Sequence, residues 1–126
     1  MRKVLGAVAD VLCVLVFVAI GRASHEEAAS LGGFLSTAWP FLVGLGAGWG
    51  LLRAWRRPEE VFPAGVGIWV SSVAVGMVLR VVSGQGTALA FVIVASVFLG
   101  AALLGWRVAA RLVARLAAAR KVSASG

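Results

Sequence analysis

Charged residues in this chain avoid four long apolar stretches and gather on alternate sides of them. The stretches run over about Val4–Ile20, Phe34–Leu52, Ala64–Val82 and Thr87–Trp106. Each is roughly 17–20 residues long, the length that crosses a ~30 Å hydrocarbon core at ~1.5 Å per residue. A surface helix of a soluble protein would carry one apolar stripe and one polar face, whereas these stretches are apolar on nearly every side. The chain is 61% hydrophobic and 13% charged, where a soluble domain is about half apolar and a quarter charged. The fold class this predicts is an all-α membrane protein.

The sign of the connecting segments predicts an orientation. Arg2 and Lys3 precede the first span, and Arg53, Arg56 and Arg57 follow the second. Arg107, Arg111, Arg115, Arg120 and Lys121 follow the fourth. The opposite side holds only Arg22, offset by Glu26 and Glu27, and Arg80. Loops rich in Lys and Arg stay in the cytoplasm, so both termini are expected there, in a multi-pass protein of the cell membrane. A cleaved signal peptide ending at Ala23 is the rival for the first span. The run is longer than a ~7–15 residue signal core and contains Asp10, which argues against cleavage. The net charge of +7 could suggest nucleic acid, but the basic residues flank apolar spans and no nucleic-acid motif is present. Anionic lipid headgroups are the expected counterpart and nucleic acid is not.

Short connections imply sequential antiparallel packing in a four-helix up-down bundle occupying residues 1–121. Ser83-Gly84-Gln85-Gly86 predicts a tight outer turn, and Pro40 is expected in the first turn of the second helix. Residues 107–121 predict a basic cytoplasmic extension of the last helix, and 122–126 a frayed tail. Contact faces between helices in lipid are marked by small residues. Gly44 with Gly48, Gly46 with Gly50, Ser72 with Gly76, Ser96 with Gly100 and Ala101 with Gly105 are each four apart. Trp39, Trp55, Trp69 and Trp106 read as an interfacial belt; Trp49 lies a little deeper, where it can pack inside.

Two groups of residues are candidates for chemistry. Asp10 lies within the first span, where a carboxylate needs a partner, a proton or water. Arg53 and Arg107 lie at a similar depth, so Asp10, Arg53 and Arg107 form a candidate ion pair or coupling site. Toward the outer side, Arg22, His25, Thr37, Trp39 and Arg80 could converge in a polar pocket for an anionic group; arginines snorkelling to headgroups are the plainer alternative. His25 is a lone histidine and Cys13 a lone cysteine, so neither a metal site nor an internal disulfide is expected. A single axial histidine per copy of a haem-bridging dimer is all that His25 would allow. No Ser-His-Asp arrangement or phosphate-cradling loop is present, so the chain is not expected to be an enzyme and no cofactor is implied.

Several stretches resemble the family known as domain of unknown function 3054. They are Asp10 with Val14–Arg22 and Ser24-His25, then Thr37-Ala38-Trp39-Pro40-Phe41, Gly48-Trp49, Gly67 with Trp69, Gly76-Met77-Val78-Leu79-Arg80, and Ala90-Phe91. That resemblance implies an integral membrane protein, supplies no activity and points again to Arg22, His25, Trp39, Pro40 and Arg80. The expected function is therefore a non-enzymatic accessory, scaffold or lipid-binding role, with a membrane-protein partner or a second copy as further counterparts. The alternative is a small oligomeric transporter or channel using Asp10 or the Arg80 cluster. The chain is similar in length to small multidrug transporters, but those carry a deeper Glu in their first span.

Overall fold

The computed structural model describes residues 2–24 and 31–125. Four helices, α1 (Arg2–Ser24), α2 (Leu31–Leu52), α3 (Val66–Val82) and α4 (Leu89–Ser125), account for most of them. A single helical turn, Ala54–Arg56, and a kinked segment, Val61–Gly65, join α2 to α3. No strand occurs among the described residues. Four helical segments, one of them α3 with the Val61–Gly65 segment before it, are long and apolar enough to cross a membrane.

Each helix buries one stripe of residues spaced by three or four. On α1 it is Gly6, Asp10, Val14 and Phe17; on α2 it is Phe41, Gly44, Leu45 and Gly48. On α3 it is Ile68, Ser72 and Gly76, and on α4 it is Ala95, Leu99, Leu103 and Arg107. These stripes meet because residues at that spacing share a helix face. The contacts run in reversed senses. Asp10 near the start of α1 meets Trp49 near the end of α2 and Arg107 far along α4. Phe17, further along α1, packs on Phe91 at the start of α4. The bundle thus has a basic end, holding Arg2, the 53–65 segment and Arg107, and a hairpin end, holding the 83–88 turn.

Burial is inverted relative to a soluble protein. Asp10 and Arg107 are 0% exposed, while Leu51 is 82%, Val82 77% and Leu89 75% exposed. A surface carrying so many large apolar side chains matches helices long and apolar enough to cross a membrane.

The closest helix pair is α2–α3. A Cβ on Gly44 would come within 2.8 Å of backbone atoms of Ser71 and Ser72, and one on Gly48 within 2.9 Å of Ile68 Cα. The approach brings the Ser71 hydroxyl within 2.8 Å of the Gly44 carbonyl and the Ser72 hydroxyl within 3.2 Å of the Phe41 carbonyl, each donating. The second ridge behaves differently: nothing lies within 4 Å of a Cβ at Gly46 or Gly50, and both glycines face outward.

Three boundaries differ from the sequence expectation. Helix α2 starts at Leu31, so Pro40 lies inside it rather than in its first turn. Proline has no N–H, so the Ser36 carbonyl loses its helical donor; the Gln85 amide supplies one instead, at 3.0 Å. Helix α3 starts at Val66, because the backbone is extended at Phe62 (φ −133°, ψ 132°). Helix α4 continues through the segment expected to fray, as far as Ser125. The α3 end is closed as expected by a tight turn. Gly84 and Gly86 take positive φ (79° and 82°), the Gln85 N–H donates to the Arg80 carbonyl and the Gly84 N–H to the Val81 carbonyl. This pair of bonds around a left-handed glycine caps the last carbonyls of the helix.

Gly44→Ala is expected to destabilise the bundle by about 1–3 kcal/mol, because the backbone it meets cannot move aside. Gly46→Ala is expected to be neutral or slightly stabilising, since alanine is the better helix former. Unfolding both in a detergent–SDS titration followed by circular dichroism separates them; equal midpoints would refute the close approach.

Candidate functional site

Asp10 and Arg107 form a closed clamp at the basic end. The guanidinium meets the carboxylate end-on: Nη1 donates to Oδ1 and Nη2 to Oδ2, each at 2.7 Å. Two indoles complete the carboxylate's shell. Trp49 Nε1 donates to Oδ2 and Trp106 Nε1 to Oδ1, both at 2.7 Å. A carboxylate has about four acceptor positions, so Asp10 is saturated. Arg107 is nearly so, since its Nε donates to the Pro58 carbonyl at 3.0 Å and Nη1 also to the Leu103 carbonyl at 2.9 Å. The guanidinium carbon lies 4.5 Å from the centre of the Trp106 ring. Among the described residues no buried side-chain nitrogen or oxygen lacks a partner.

The local sequence makes room for this clamp. Gly65 stands where a Cβ would come within 2.8 Å of Arg107 Cδ, so the arginine stem passes over it. Gly6 stands where a Cβ would come within 2.6 Å of Pro58 Cβ, so Pro58 reaches α1 and its carbonyl reaches Arg107. Next to it, Arg2 donates to both carboxylate oxygens of Glu59, Nε at 3.0 Å and Nη2 at 2.6 Å. That pairing holds the Glu59 carboxyl below its ordinary range. The segment between α2 and α3 is thereby tied to α1 and α4.

A cavity of about 720 Å³ occupies the hairpin end, lined by Phe17, Gly21, Arg22, Thr37, Arg80, Phe91 and the 85–88 turn, among others. Arg22 Nη1 donates to the Thr37 hydroxyl at 3.2 Å, and that hydroxyl donates to the Gly33 carbonyl at 3.1 Å. Arg80 is positioned by the turn: Nε donates to the Gly86 carbonyl at 3.0 Å and Nη1 to Gln85 Oε1 at 3.2 Å. Its guanidinium carbon lies 4.2 Å over the Phe91 ring. Below the cations, the wall is aromatic, with Phe17 packing on Phe41, Phe91 and Phe98 at centroid distances of 5.5–6.1 Å. The volume falls within the ~300–1,000 Å³ range of small-molecule pockets.

The predicted site residues divide as follows. Asp10 and Arg107 are brought together, and Arg53 is not. Helix α2 ends at Leu52, and Arg53 turns left-handed (φ 50°, ψ 49°) into the connecting segment, so Trp49 takes the place beside Asp10. Arg22, Thr37 and Arg80 line one cavity. Trp39 does not join them: it lies about 160° round α2 from Phe41 at ~100° per residue and is 39% exposed. His25 lies outside the described residues. Trp49 and Trp106, read as belt or packing residues, are ligands of a carboxylate. The signal for them was chemical: within apolar spans, arginine and tryptophan are the side chains that donate without accepting.

The family described as protein of unknown function (DUF3054) matches residues 7–110. The chain belongs to that family. No curated protein and no solved structure gives a significant match. The match includes Asp10, Trp49, Trp106 and Arg107 as well as Arg22, Thr37 and Arg80, and it ends before the outer part of α4.

Removing one clamp partner strands a buried charge, so Arg107→Met is expected to cost about 3–5 kcal/mol. The double variant Asp10→Leu/Arg107→Met is expected to cost clearly less than the two single changes added together. Reversible SDS unfolding read by tryptophan fluorescence measures this; strict additivity would show that the pair is not coupled.

Glu59 gives a smaller, pH-dependent effect. Its carboxyl is depressed below the ordinary 4.5 by Arg2, so the stabilisation is complete above that value and is lost as pH falls through the depressed one. The thermal midpoint difference between wild type and Arg2→Gln should be constant near neutrality and shrink as pH falls through the depressed Glu59 value. A difference that persists at pH 2 would show that packing, not the ion pair, is the source.

Proposed function

We propose that this chain is a non-enzymatic, multi-pass protein of the cell membrane that binds an anionic amphiphile, foremost a lipid, in the cavity at the hairpin end. The observation that carries the reading is the pairing of two arginines with an aromatic trough in one cavity. Arg22 and Arg80 flank a polar rim completed by Thr37 and Gln85, while Phe17 and Phe91 line the part below. A phosphate or carboxylate headgroup matches the rim through charge-assisted hydrogen bonds. An acyl chain matches the aromatic wall.

Orientation follows from the distribution of positive charge. The basic end faces the cytoplasm with both termini, and the four antiparallel helices cross the bilayer. The cavity then opens toward the outer leaflet. The apolar exposure of Leu51, Val82 and Leu89 supports insertion, since lipid tails cover such surfaces without cost. The saturated shell of Asp10 supports a clamp rather than a coupling site for transport: Asp10 does not line the hairpin-end cavity. An accessory role toward another membrane protein fits the same arrangement, with the bound lipid as part of the contact.

Native mass spectrometry of the protein extracted gently from its own membrane tests the reading. Wild type is expected to retain an anionic lipid that the Arg22→Gln/Arg80→Gln variant holds about tenfold more weakly, two charge-assisted bonds being worth at least that much. A co-purified foreign protein in fixed ratio, lost in the same variant, would support the accessory role. Equal lipid retention by wild type and variant would overturn the assignment of the cavity.

A further inference from the structure

The segment joining α2 to α3 places three arginines around a second cavity, and nothing in the clamp or the hairpin-end cavity uses them. This cavity, about 360 Å³, is lined by Arg53, Arg56, Arg57 and Glu60 over a floor that includes Leu52, Pro63 and Ala64. Three guanidinium groups within five residues repel one another. One carboxylate offsets them: Glu60 lies 3.5 Å from Arg57. Among the described residues, no side-chain hydrogen bond or ion pair engages Arg53 or Arg56.

The backbone holds this arrangement firmly. Arg53 is the one non-glycine residue with positive φ among those described, a conformation that L-residues avoid. The turn is closed by the Arg56 N–H donating to the Arg53 carbonyl and the Arg57 N–H to the Ala54 carbonyl. Ala54 is buried, Pro58 rests on α1 at Gly6, and its carbonyl is held by Arg107. The cations are therefore displayed from a fixed loop, which lowers the ordering cost of binding an anion.

We propose that Arg53, Arg56 and Arg57 form a binding site for a phosphate group. The geometry around the cavity favours a phospholipid headgroup as the source. Leu51, Trp55 and Phe62 are exposed by 82%, 47% and 75% beside it. Large apolar side chains next to arginines belong at the boundary between acyl chains and headgroups. A lipid phosphate there reaches the guanidinium forks directly, and soluble phosphate offers the same chemistry from the water side. The site is separate from the hairpin-end cavity and stands or falls independently of it.

The test uses the full chain in nanodiscs, with Arg22→Gln/Arg80→Gln as background so that the other cavity does not contribute. The probes are phosphatidylglycerol in a phosphatidylcholine bilayer and inorganic phosphate added to a bilayer of phosphatidylcholine alone. Lipid retention is read by native mass spectrometry, and phosphate binding by line broadening in phosphorus NMR. The variant Arg53→Asn/Arg56→Gln/Arg57→Gln removes three charges, with asparagine chosen at position 53 because it tolerates the left-handed backbone. The control Arg111→Gln/Arg115→Gln/Arg120→Gln removes three charges from α4.

The loop variant is expected to lose retained phosphatidylglycerol by about tenfold or more, and the α4 control to keep it. Loss of inorganic phosphate binding confined to the loop variant, without a lipid preference, would support the site and identify soluble phosphate as its source. Equal loss in both triple variants would overturn the proposal, because net charge alone would then account for the binding. No difference between the loop variant and its background with either probe would overturn it as well.

Discussion

The rest of the structure depends on one buried carboxylate–guanidinium pair. Asp10 and Arg107 lie ninety-seven positions apart, on the first and last helices, and both are fully enclosed. Neither charge is tolerable there alone. Each gathers further partners: two indoles from α2 and α4 for the acid, and carbonyls from Leu103 and Pro58 for the base. The clamp thus decides where α1, α2, α4 and the connecting segment must be. Apolar packing is non-directional, so this directional pair fixes register where apolar contacts alone leave it loose.

The two ends of the bundle solve opposite problems. At the basic end, polar groups turn inward and consume one another's bonding capacity. At the hairpin end, Arg22 and Arg80 are braced by Thr37, Gln85 and the Gly86 carbonyl yet border an open volume. Saturation closes the first end, and bracing beside a void leaves the second open. Gln85 serves both purposes at once. Its amide nitrogen repairs the carbonyl orphaned by Pro40, and its oxygen orients Arg80. A helix defect in α2 is thereby linked to the placement of a cation at the end of α3.

Much of this was legible in the sequence, for identifiable reasons. The four helical spans follow from uninterrupted apolar runs, and the turn at 83–86 follows from glycines that only a left-handed backbone requires. Asp10 stood out because a carboxylate in an apolar run demands an explanation. Its partner was narrowed to Arg53 or Arg107, but depth along a span does not specify direction around it. The choice was made by the backbone at Arg53, which leaves the helix one residue too soon. Trp39 was misplaced for the same reason, since its position along α2 matched the cavity and its angle did not. Helix α2 begins before Phe34 because Leu31–Gly33 continue it, which put Pro40 in the interior. The close contact at Gly44 and the open face at Gly46 could not be told apart from spacing, as both ridges carry the same four-residue repeat.

Helix α4 runs without a break from Leu89 to Ser125, thirty-seven residues. Phe91 in the hairpin-end cavity, Arg107 in the clamp and the arginines at 111, 115 and 120 therefore belong to one rod of about 55 Å. A rod transmits torque. A tilt of α4 about the Asp10–Arg107 pair would carry Phe91 and the arginines at 111, 115 and 120 in opposite directions.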